Sequence, residues 1–378
     1  MVILTEALAE DYSLHMKNGL GTTLSRLPGP VLITGHTGFK GAWLTILLEK
    51  LGIPTVGYSL EPEKGSLFER AEFTGRMPEV FADIRNREAL DSFIKSHKPS
   101  CVIHMAAQPL VLASYENPFE TFDINVMGTA NLLETSFKHE FIQSIVVVTT
   151  DKVYKNDNSG RKFIETDPLE GKDPYSASKV GTEAVVAAWQ QIAKTQGGPR
   201  VVSVRAGNVI GGGDFADNRI IPDLVRSILI KKQDVDIRNP ESTRPWQHVL
   251  DPLAGYILAL EATLVGKSEK SYNFAPDGEN LSVKEVAEKF IRLSGQKVKL
   301  IRHDPINQLE ALTLNLDATK AKMDLKWKSF WSQSESIDQS FDWWNKVINF
   351  KISPLEACYD EVIQVIHNLR LRDDVDNA

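Results

Sequence analysis

The chain has 378 residues, of which 42% are hydrophobic and 25% charged, and its formal net charge is −7. This size suits one large α/β domain with a smaller lobe, or two domains, and the acidic balance argues against nucleic acid or an anionic membrane surface as a partner. The two cysteines, Cys101 and Cys358, form neither a metal-ligand pattern nor a disulfide framework, which is typical of a reducing compartment.

The first residues of the chain do not have the pattern of a secretory signal. Residues 1–19 lack a basic start and a small-residue cleavage site. No apolar run approaches the roughly 20 residues that a membrane-spanning helix needs. We therefore expect a cytoplasmic protein in which residues 1–27 form an N-terminal arm.

From residue 30 onward, strand and helix patterns alternate along the chain. The strand "VLIT" is followed by a glycine turn and an apolar helix, and strand–helix pairs continue as far as the strand "SIVVV", the helix "YSASKVGTEAVVAAWQQIA" and the strand "RVVSVRA". This alternation predicts right-handed βαβ units and an α/β fold with a Rossmann-type doubly wound parallel sheet.

The second half of the chain is less regular and divides the predicted architecture. We expect the Rossmann domain over residues 28–207 and a smaller α/β substrate-binding lobe mainly over 208–350, with segments that return to the sheet. A C-terminal helix and tail are predicted over 351–378.

The string "TGHTGFKG" joins the first strand to the first helix. Gly35 permits a tight turn, Gly38 lets a pyrophosphate approach the backbone, and Gly41 lets the helix pack close to the strand. The helix N-terminus then faces the phosphates. A P-loop is excluded because Gly41 follows Lys40, so that G-K-[ST] is absent. The predicted dinucleotide contacts in this turn are Gly35, Thr37, Gly38, Phe39, Lys40 and Gly41.

Two acidic residues bear on the identity of the dinucleotide. Glu61 lies 20 residues after Gly41 and is interpreted either as the acid that binds a ribose diol or as a solvated loop residue. Asp83, in "ADIRN", would meet an adenine amino group or cap a helix. Lys64 is the one cation in the strip "GYSLEPEKG", so the sequence favours NAD over NADP.

Two further strings carry acid–base residues. "YSASK" places Tyr175 and Lys179 on one helix face, where the ammonium favours the phenolate and lets it accept a proton from an alcohol while hydride leaves for nicotinamide. "TTDK" ends a predicted parallel strand, so Asp151 and Lys152 are expected at the ligand crevice. The alternative for Asp151 and Lys152 is a surface ion pair at a strand end.

The strings "TGHTGFKGAWL", "AAQPLV", "TTDKVY", "DPYSASK" and "RPWQHV" resemble those of the extended short-chain dehydrogenase/reductase family, also called the NAD-dependent epimerase/dehydratase family. The resemblance runs from about Pro30 to Lys346. Within the family, these strings are most similar to those of CDP-glucose 4,6-dehydratases, which carry Thr-Asp-Lys at 150–152, whereas other 4,6-dehydratases generally carry Thr-Asp-Glu.

The resemblance implies a lyase of the hydro-lyase class with tightly bound NAD. Its substrate would be a nucleotide-diphosphate glucose, expected to be CDP-D-glucose, converted to CDP-4-dehydro-6-deoxy-D-glucose by C4 oxidation, loss of the C6 hydroxyl as water and hydride return to C6. Tyr175 would take the C4 hydroxyl proton, Lys152 would assist C5 proton removal, and protonated Asp151 would give its proton to the leaving hydroxyl. The alternatives are another sugar-nucleotide dehydratase or epimerase of the family, and a non-catalytic NAD-binding protein.

The resemblance also implies site residues by position. The catalytic set is Thr150, Asp151, Lys152, Tyr175 and Lys179. Beyond the glycine turn, the cofactor would contact Glu61, Asp83, Ile84, Ala106, Ala107, Gln108, Tyr175 and Lys179. The substrate would contact Gln108, Thr150, Asn208, Arg219, Arg244 and Trp246. No metal is expected, and His248 is interpreted as structural.

Two positions depart from the family pattern. Leu112 and Ala113 stand where an arginine is common after "PLV", and Leu309, followed by Glu310 and Ala311, stands where the family often reads His-Glu-Ala. Both departures bear on the sugar nucleotide that is accepted.

The helix with Tyr175 and Lys179 has a second face of small residues: Ala184, Val185, Ala187 and Ala188. This face predicts a homodimer or homotetramer through that helix, the alternative being packing in the core of the same chain.

Overall fold

The computed structural model of the chain describes residues 19–216, 219–303 and 314–376. A seven-stranded parallel sheet forms its centre. The strands are β1 (Val31–Thr34), β2 (Thr55–Ser59), β3 (Glu79–Phe81), β4 (Cys101–His104), β5 (Ser144–Val148), β6 (Arg200–Ala206) and β7 (Ser271–Phe274). Their order across the sheet is β3-β2-β1-β4-β5-β6-β7. The predicted doubly wound parallel sheet is confirmed.

The described ranges contain thirteen α-helices, and several of them cover the two faces of this sheet. They are α1 (Phe39–Lys50), α2 (Leu67–Arg70), α3 (Arg87–His97), α4 (Val111–Glu116), α5 (Pro118–Phe122), α6 (Gly128–Ser136), α7 (Pro174–Gln196), α8 (Ile220–Leu224), α9 (Leu250–Leu264), α10 (Val283–Ser294), α11 (Thr319–Leu325), α12 (Gln333–Ile348) and α13 (Pro354–Asp376). Buried side chains of α3, α6 and α7 pack on one face, and those of α1 and α9 on the other.

The central strands are mostly apolar because helices cover the sheet on two sides. Along β5, Ile145 and Val147 point to one core, and Val146 and Val148 point to the other, as the two-residue period of a strand requires. All four are buried. The continuous apolar runs in the sequence are therefore the signature of a doubly covered sheet.

The strand order reverses at β1, which pairs with β2 on one side and with β4 on the other. In open α/β sheets, ligands bind beside the carboxyl ends of the strands at such a switch point. The glycine turn follows β1, residues 106–108 follow β4, and the "TTDK" string follows β5. The topology thus brings these three segments to one edge of the sheet.

Among the residues that the structure describes, four short strand pairs lie outside the main sheet, and seven of their eight strands come after β6 in the chain. They are Val209–Ile210 with Gln247–His248, Val235–Arg238 with Leu300–His303, Thr243–Arg244 with Leu281–Ser282, and Lys162–Phe163 with Asn315–Leu316. β7, which lies in this part of the sequence, pairs with β6 in the main sheet. One segment of the irregular half therefore completes the sheet of the first half.

The structure adds helices that the sequence patterns did not predict. α4 and α5 fill the stretch after "AAQPLV", and Pro118 begins α5, where its missing N–H needs no partner. A π-helix over Asp123–Met127 precedes α6. The predicted arm at residues 1–27 falls largely outside the described residues. Within the described ranges, no helix is both long enough and apolar enough to cross a bilayer.

Candidate active site

The glycine turn after β1 has one open position and two crowded ones. Gly35 has a φ of +75°, and a Cβ there would lie 2.7 Å from the backbone nitrogen of Ala106. A Cβ on Gly41 would lie 2.1 Å from the carbonyl oxygen of Gly35. At Gly38, the same oxygen is the one heavy atom within 4 Å, at 3.5 Å. The turn is therefore closed toward the protein and open to a ligand at Gly38, as a dinucleotide fingerprint requires.

Thr37 ties the glycine turn to the end of β2. Its hydroxyl lies 2.7 Å from the Ser59 hydroxyl and donates to the carbonyl oxygen of Leu60 at 3.0 Å. Glu61, the next residue, is exposed. The predicted ribose acid therefore stands beside the phosphate turn, where its role as a ribose ligand stays a prediction.

Asp83 lies beyond β3, and its carboxylate is held by Arg85. Arg85 Nη2 donates to Asp83 Oδ2 at 2.6 Å, and this hydrogen bond lowers the pKa of Asp83. The N-cap of α3 is Asn86, whose side chain accepts from the N–H of Ala89 at 3.0 Å. Asp83 is thus not the helix cap, and the adenine contact stays as its predicted role, next to buried Ile84.

The loop after β4 is braced by the side chain of Gln108. Gln108 Nε2 donates to Thr121 Oγ1 at 2.9 Å and to the Leu110 carbonyl at 3.1 Å, and Gln108 Oε1 accepts from the N–H of Leu110. Ala106 and Ala107 are half-buried in the same loop. The Gln108 amide therefore shapes the loop, and its predicted ligand contacts, like those of the two alanines, remain untested.

The end of β5 forms the centre of the site. Thr150 caps a short 3₁₀ turn, where its hydroxyl accepts from the N–H of Lys152 at 3.3 Å, and it lies 3.0 Å from Asp151 Oδ1. The same hydroxyl also acts on the Tyr175 phenol and lowers its pKa, against the effect of burial. Asp151 is 3% exposed and Lys152 is half-buried. The acid and the base thus form part of an enclosed site, which argues against a surface ion pair.

Tyr175 and Lys179 lie in the first turns of α7. Asp173 caps this helix by accepting from the N–H of Ser176 at 2.9 Å. Burial raises the pKa of Tyr175 to about 12, although the Thr150 hydroxyl and the charge of Arg219 favour the phenolate. Burial lowers the pKa of Lys179 to about 8, and its ammonium donates to the carbonyl oxygen of Val148 at 3.3 Å. Tyr175 and Lys179 are therefore both buried in the first turns of α7, and their action as a catalytic pair stays a prediction.

Lys40 reaches this centre from the glycine turn. Its ammonium donates to the buried Tyr256 hydroxyl of α9 at 3.2 Å. Burial, and then Arg219, lower the pKa of Lys40 to about 8, while Asp151 raises it. Tyr256 in turn interacts electrostatically with Tyr175 and Asp151. The sequence analysis missed Tyr256 because nothing in the apolar string "LDPLAGYILALEATL" distinguishes this tyrosine from a core residue.

Asn208 and Arg219 flank the centre on the side of the lobe. Asn208 follows Gly207, at which a Cβ would lie 3.2 Å from Asp151 Oδ2. Arg219 Nη1 donates to Asp214 Oδ2 at 3.1 Å, and its charge acts on Tyr175. Both predicted substrate residues therefore lie close to the acid–base residues.

The string "RPWQHV" contributes one polar and one buried residue. Arg244 is half-buried and donates to the carbonyl oxygen of Thr243 at 2.9 Å. Trp246 is 4% exposed, and its indole nitrogen donates to the Leu281 carbonyl at 2.8 Å. The Trp246 ring is therefore first a part of the core, and its predicted contact with a base or sugar stays a prediction.

The remaining predictions concern His248, the positions that depart from the family pattern, and the absence of a metal. His248 is buried, and its Nε2 lies 3.1 Å from Glu361 Oε2 of α13, which agrees with a structural role. Leu112 lies in α4, near Ser114, which accepts from the N–H of Tyr175 at 3.1 Å. Leu309, Glu310 and Ala311 lie outside the described residues. Among residues 19–216, 219–303 and 314–376, no cluster of histidine, cysteine and acidic side chains could hold a metal ion.

Comparison with known proteins identifies the family of the chain. The family described as "NAD dependent epimerase/dehydratase family" matches residues 31–275. The chain belongs to this family. The predicted family is thereby confirmed, and since the family is NAD dependent, so is the predicted cofactor.

Three known proteins are similar to the chain. It is 42% identical over 322 residues to a CDP-glucose 4,6-dehydratase of Salmonella typhimurium, a match that covers 83% of this chain and 89% of the relative. A UDP-glucose 4-epimerase structure from Thermotoga maritima has a TM-score of 0.74 at 21% identity, over 85% of this chain and all of that one. The structure of a dTDP-glucose 4,6-dehydratase from Streptomyces venezuelae, solved with NAD, has a TM-score of 0.73 at 23% identity. The match covers 86% of this chain and 99% of that one. The two structures confirm the fold.

Proposed function

We propose that the protein is an NAD-dependent hydro-lyase that converts CDP-D-glucose to CDP-4-dehydro-6-deoxy-D-glucose. The observation that carries this proposal is the enclosed pair Asp151 and Lys152 at the end of β5, beside Tyr175 and Lys179 of α7. The 42% identity to a relative named CDP-glucose 4,6-dehydratase supports the CDP-sugar as the substrate.

The glycine turn fits a dinucleotide because Gly38 leaves space where a side chain would stand, while α1 directs its N-terminal N–H groups to the same place. The turn residues 35 and 37–41 would hold the pyrophosphate. Glu61, Asp83 and Ile84 would hold the adenosine end, and residues 106–108 the nicotinamide end with Tyr175 and Lys179. When bound, NAD accepts a hydride from C4 of the sugar and returns a hydride to C6.

The residues of this chain would move the protons. Tyr175, aided by the positive charge of Lys179, takes the proton of the C4 hydroxyl while Thr150 holds that hydroxyl. The C4 ketone makes the C5 hydrogen acidic, so that Lys152 can assist its removal. Asp151, in its protonated form, gives a proton to the departing C6 hydroxyl. Because Asp151 is 3% exposed, this transfer takes place away from bulk water.

Two arginines would bind the diphosphate of the substrate. A guanidinium presents a planar fork that matches phosphate oxygens, and Arg219 and Arg244 both lie on the lobe side of the centre. Asn208, Gln108 and Trp246 complete the proposed substrate set. Arg219 also acts electrostatically on Tyr175, which supports a diphosphate position next to the reacting sugar.

Mass spectrometry of four separate reactions tests the function. The purified protein is incubated with CDP-, dTDP-, UDP- or GDP-glucose without added reductant. Loss of one water from CDP-glucose alone is the expected result. Water loss from another nucleotide would retain the mechanism and overturn the substrate. If every mass is unchanged and NMR detects a C4 epimer, the protein is an epimerase and the proposal is wrong.

We also propose that two or more copies assemble through α7. Ala184, Ala187 and Ala188 are exposed and Val185 is half-buried, which argues against the alternative of intrachain core packing. Phe119 of the neighbouring helix α5 is 84% exposed. A second copy of the chain would cover this apolar surface.

Light scattering tests the assembly at micromolar concentration. We expect a dimer or tetramer for the parent and a smaller species for Phe119→Glu. Phe350→Glu is the matched control, since Phe350 is also exposed but follows α12. A monomeric parent would contradict the proposal.

We place the enzyme in the cytoplasm because Cys101 and Cys358 are buried free thiols, as a reducing compartment favours.

A further inference from the structure

The carboxylate of Glu183 is enclosed one helical turn beyond Lys179. Its Oε1 accepts from Thr149 Oγ1 at 2.5 Å and from Arg205 Nε at 2.8 Å. Its Oε2 accepts from Arg205 Nη2 and from Ser203 Oγ, each at 2.8 Å. Thr149 follows β5, while Ser203 and Arg205 belong to β6. The Glu183 carboxylate therefore joins α7 to the ends of two strands of the sheet.

Arg205 extends this connection to the segment that follows the acid–base pair. Its Nη1 donates to the Tyr154 hydroxyl at 2.8 Å and to the Glu165 carbonyl at 3.2 Å. The Tyr154 hydroxyl donates to Asn273 Oδ1 of β7 at 2.7 Å. Tyr154 directly follows the turn with Asp151 and Lys152, so hydrogen bonds to its hydroxyl hold the end of that turn in place.

The charges around Lys179 are of both signs. Tyr175 and Glu183 lie one turn before and one turn after it on α7, and the charge of Lys179 interacts with Glu183, with His104 on β4 and with Lys40 on α1. Lys40 in turn interacts with Asp151 and Lys152 after β5. Burial, and then Lys179, lower the pKa of His104 to about 3, so His104 is neutral. Against the effect of burial, Glu183 raises the pKa of Lys179. The charge of Lys179 therefore depends on the carboxylate of Glu183.

We propose that Glu183 and Arg205 form a positioning pair that sets the charge of Lys179 and holds the strand-end residues of the active site. The proposal rests on the proposed function in so far as Lys179 assists Tyr175. Stability alone does not account for the pair, because a buried ion pair often stabilises a fold less than apolar residues of similar volume. Glu183 acts through Lys179 and Thr149 and touches no reacting atom.

The two members of the pair should act on Lys179 with opposite signs. Glu183→Gln removes a negative charge and leaves Arg205 uncompensated, so the pKa of Lys179 falls by about one unit. Arg205→Met leaves the Glu183 carboxylate less compensated, so the pKa of Lys179 rises. A purely structural pair would reduce activity in both variants without these opposite displacements.

NMR of protein labelled with carbon-13 at lysine Cε measures this pKa directly, and Lys179→Met assigns the resonance. The expected order of Lys179 pKa values is Arg205→Met, then the parent, then Glu183→Gln, with Glu183→Asp close to the parent because it keeps the charge. The alkaline limb of the kcat/KM profile should move in the same order. If Glu183→Gln does not fold, Arg205→Met and Glu183→Asp still test the sign.

Displacement of the Lys179 resonance in the same direction in both charge variants, or in neither, would overturn the proposal. The titration needs no substrate. Failure of the parent protein to convert any sugar nucleotide would therefore count against the proposed function, while the Lys179 order would still decide the role of the pair.

Discussion

Alanine at Gly41 should impair stability and alanine at Gly38 should impair NAD binding, since Gly41 faces backbone and Gly38 faces open space. At Gly41, a Cβ would lie 2.1 Å from the Gly35 carbonyl oxygen and 2.7 Å from the Cα of His36, so backbone must move by about 1 Å to reach an ordinary contact. Overpacking of this kind destabilises by about 1–3 kcal/mol, and more where backbone is rigid. We expect Gly41→Ala to lower the free energy of unfolding by at least about 3 kcal/mol.

At Gly38, the backbone has φ −72° and ψ 168°, which any residue adopts, and the nearest heavy atom to an added Cβ is at 3.5 Å. The loss of chain entropy in the unfolded state and the poorer N-cap oppose each other, so the stability should change by less than about 1 kcal/mol. The added methyl would stand where the pyrophosphate is expected. NAD affinity should therefore fall at least about tenfold, or about 1.4 kcal/mol.

Urea unfolding and calorimetric titration with NAD separate the two effects. Gly41→Ala should mainly lower the free energy of unfolding measured with urea, and Gly38→Ala should lower only the NAD affinity measured by calorimetry. The reasoning would be refuted if Gly38→Ala bound NAD like the parent, or if Gly41→Ala were as stable as the parent.

Four further substitutions test the site and the start of α3. Lys152→Ala should retain C4 oxidation, seen as the absorbance of reduced nicotinamide, and lose water elimination at least about 100-fold by mass spectrometry; unchanged turnover would remove Lys152 from the mechanism. The folded-state pKa of Lys179, about 8, lies below its unfolded value of 10.5, so the unfolded chain binds more protons between them and parental stability rises with pH across that window. Lys179→Met should therefore be more stable than the parent at pH 7 by roughly 2–3 kcal/mol. Its unfolding free energy, measured with urea at several pH values, should rise less steeply with pH than that of the parent, and Lys40 accounts for the rise that remains. An equally steep rise in both proteins would contradict the burial argument. Asn86→Ala should lower the unfolding free energy by about 1 kcal/mol through loss of the α3 cap and leave NAD binding intact. Asp83→Ala should instead weaken NAD binding. The reverse pattern would show that the roles of Asn86 and Asp83 are exchanged.

Local patterns were sufficient to predict the sheet and the residues that follow its strands. β1, β4 and β5 are buried at every position and mostly apolar because both faces are covered, and this composition is visible without a structure. The spacing of Gly35, Gly38 and Gly41 follows from turn geometry alone. Tyr175 and Lys179 face the same way because they are four residues apart on one helix.

Packing decided which polar side chains are available to a ligand. The Gln108 amide, predicted to line the cofactor, is engaged with Thr121 and Leu110, because α4 and α5 fold over its loop. The Trp246 ring is enclosed by the chain near Leu281. A motif gives the type of residue at a position, but the use of its polar atoms depends on neighbours that the motif does not contain.

The sequence by itself determined the parallel sheet, the dinucleotide turn and the Tyr175–Lys179 face, since each depends on residues within a few positions of one another. The tertiary structure alone decided that Lys40 meets Tyr256, across 216 positions, and that Glu183 is bound by Arg205, across 22. The physical reason is that buried charges must find partners, and the partners available depend on which helices and strands pack together.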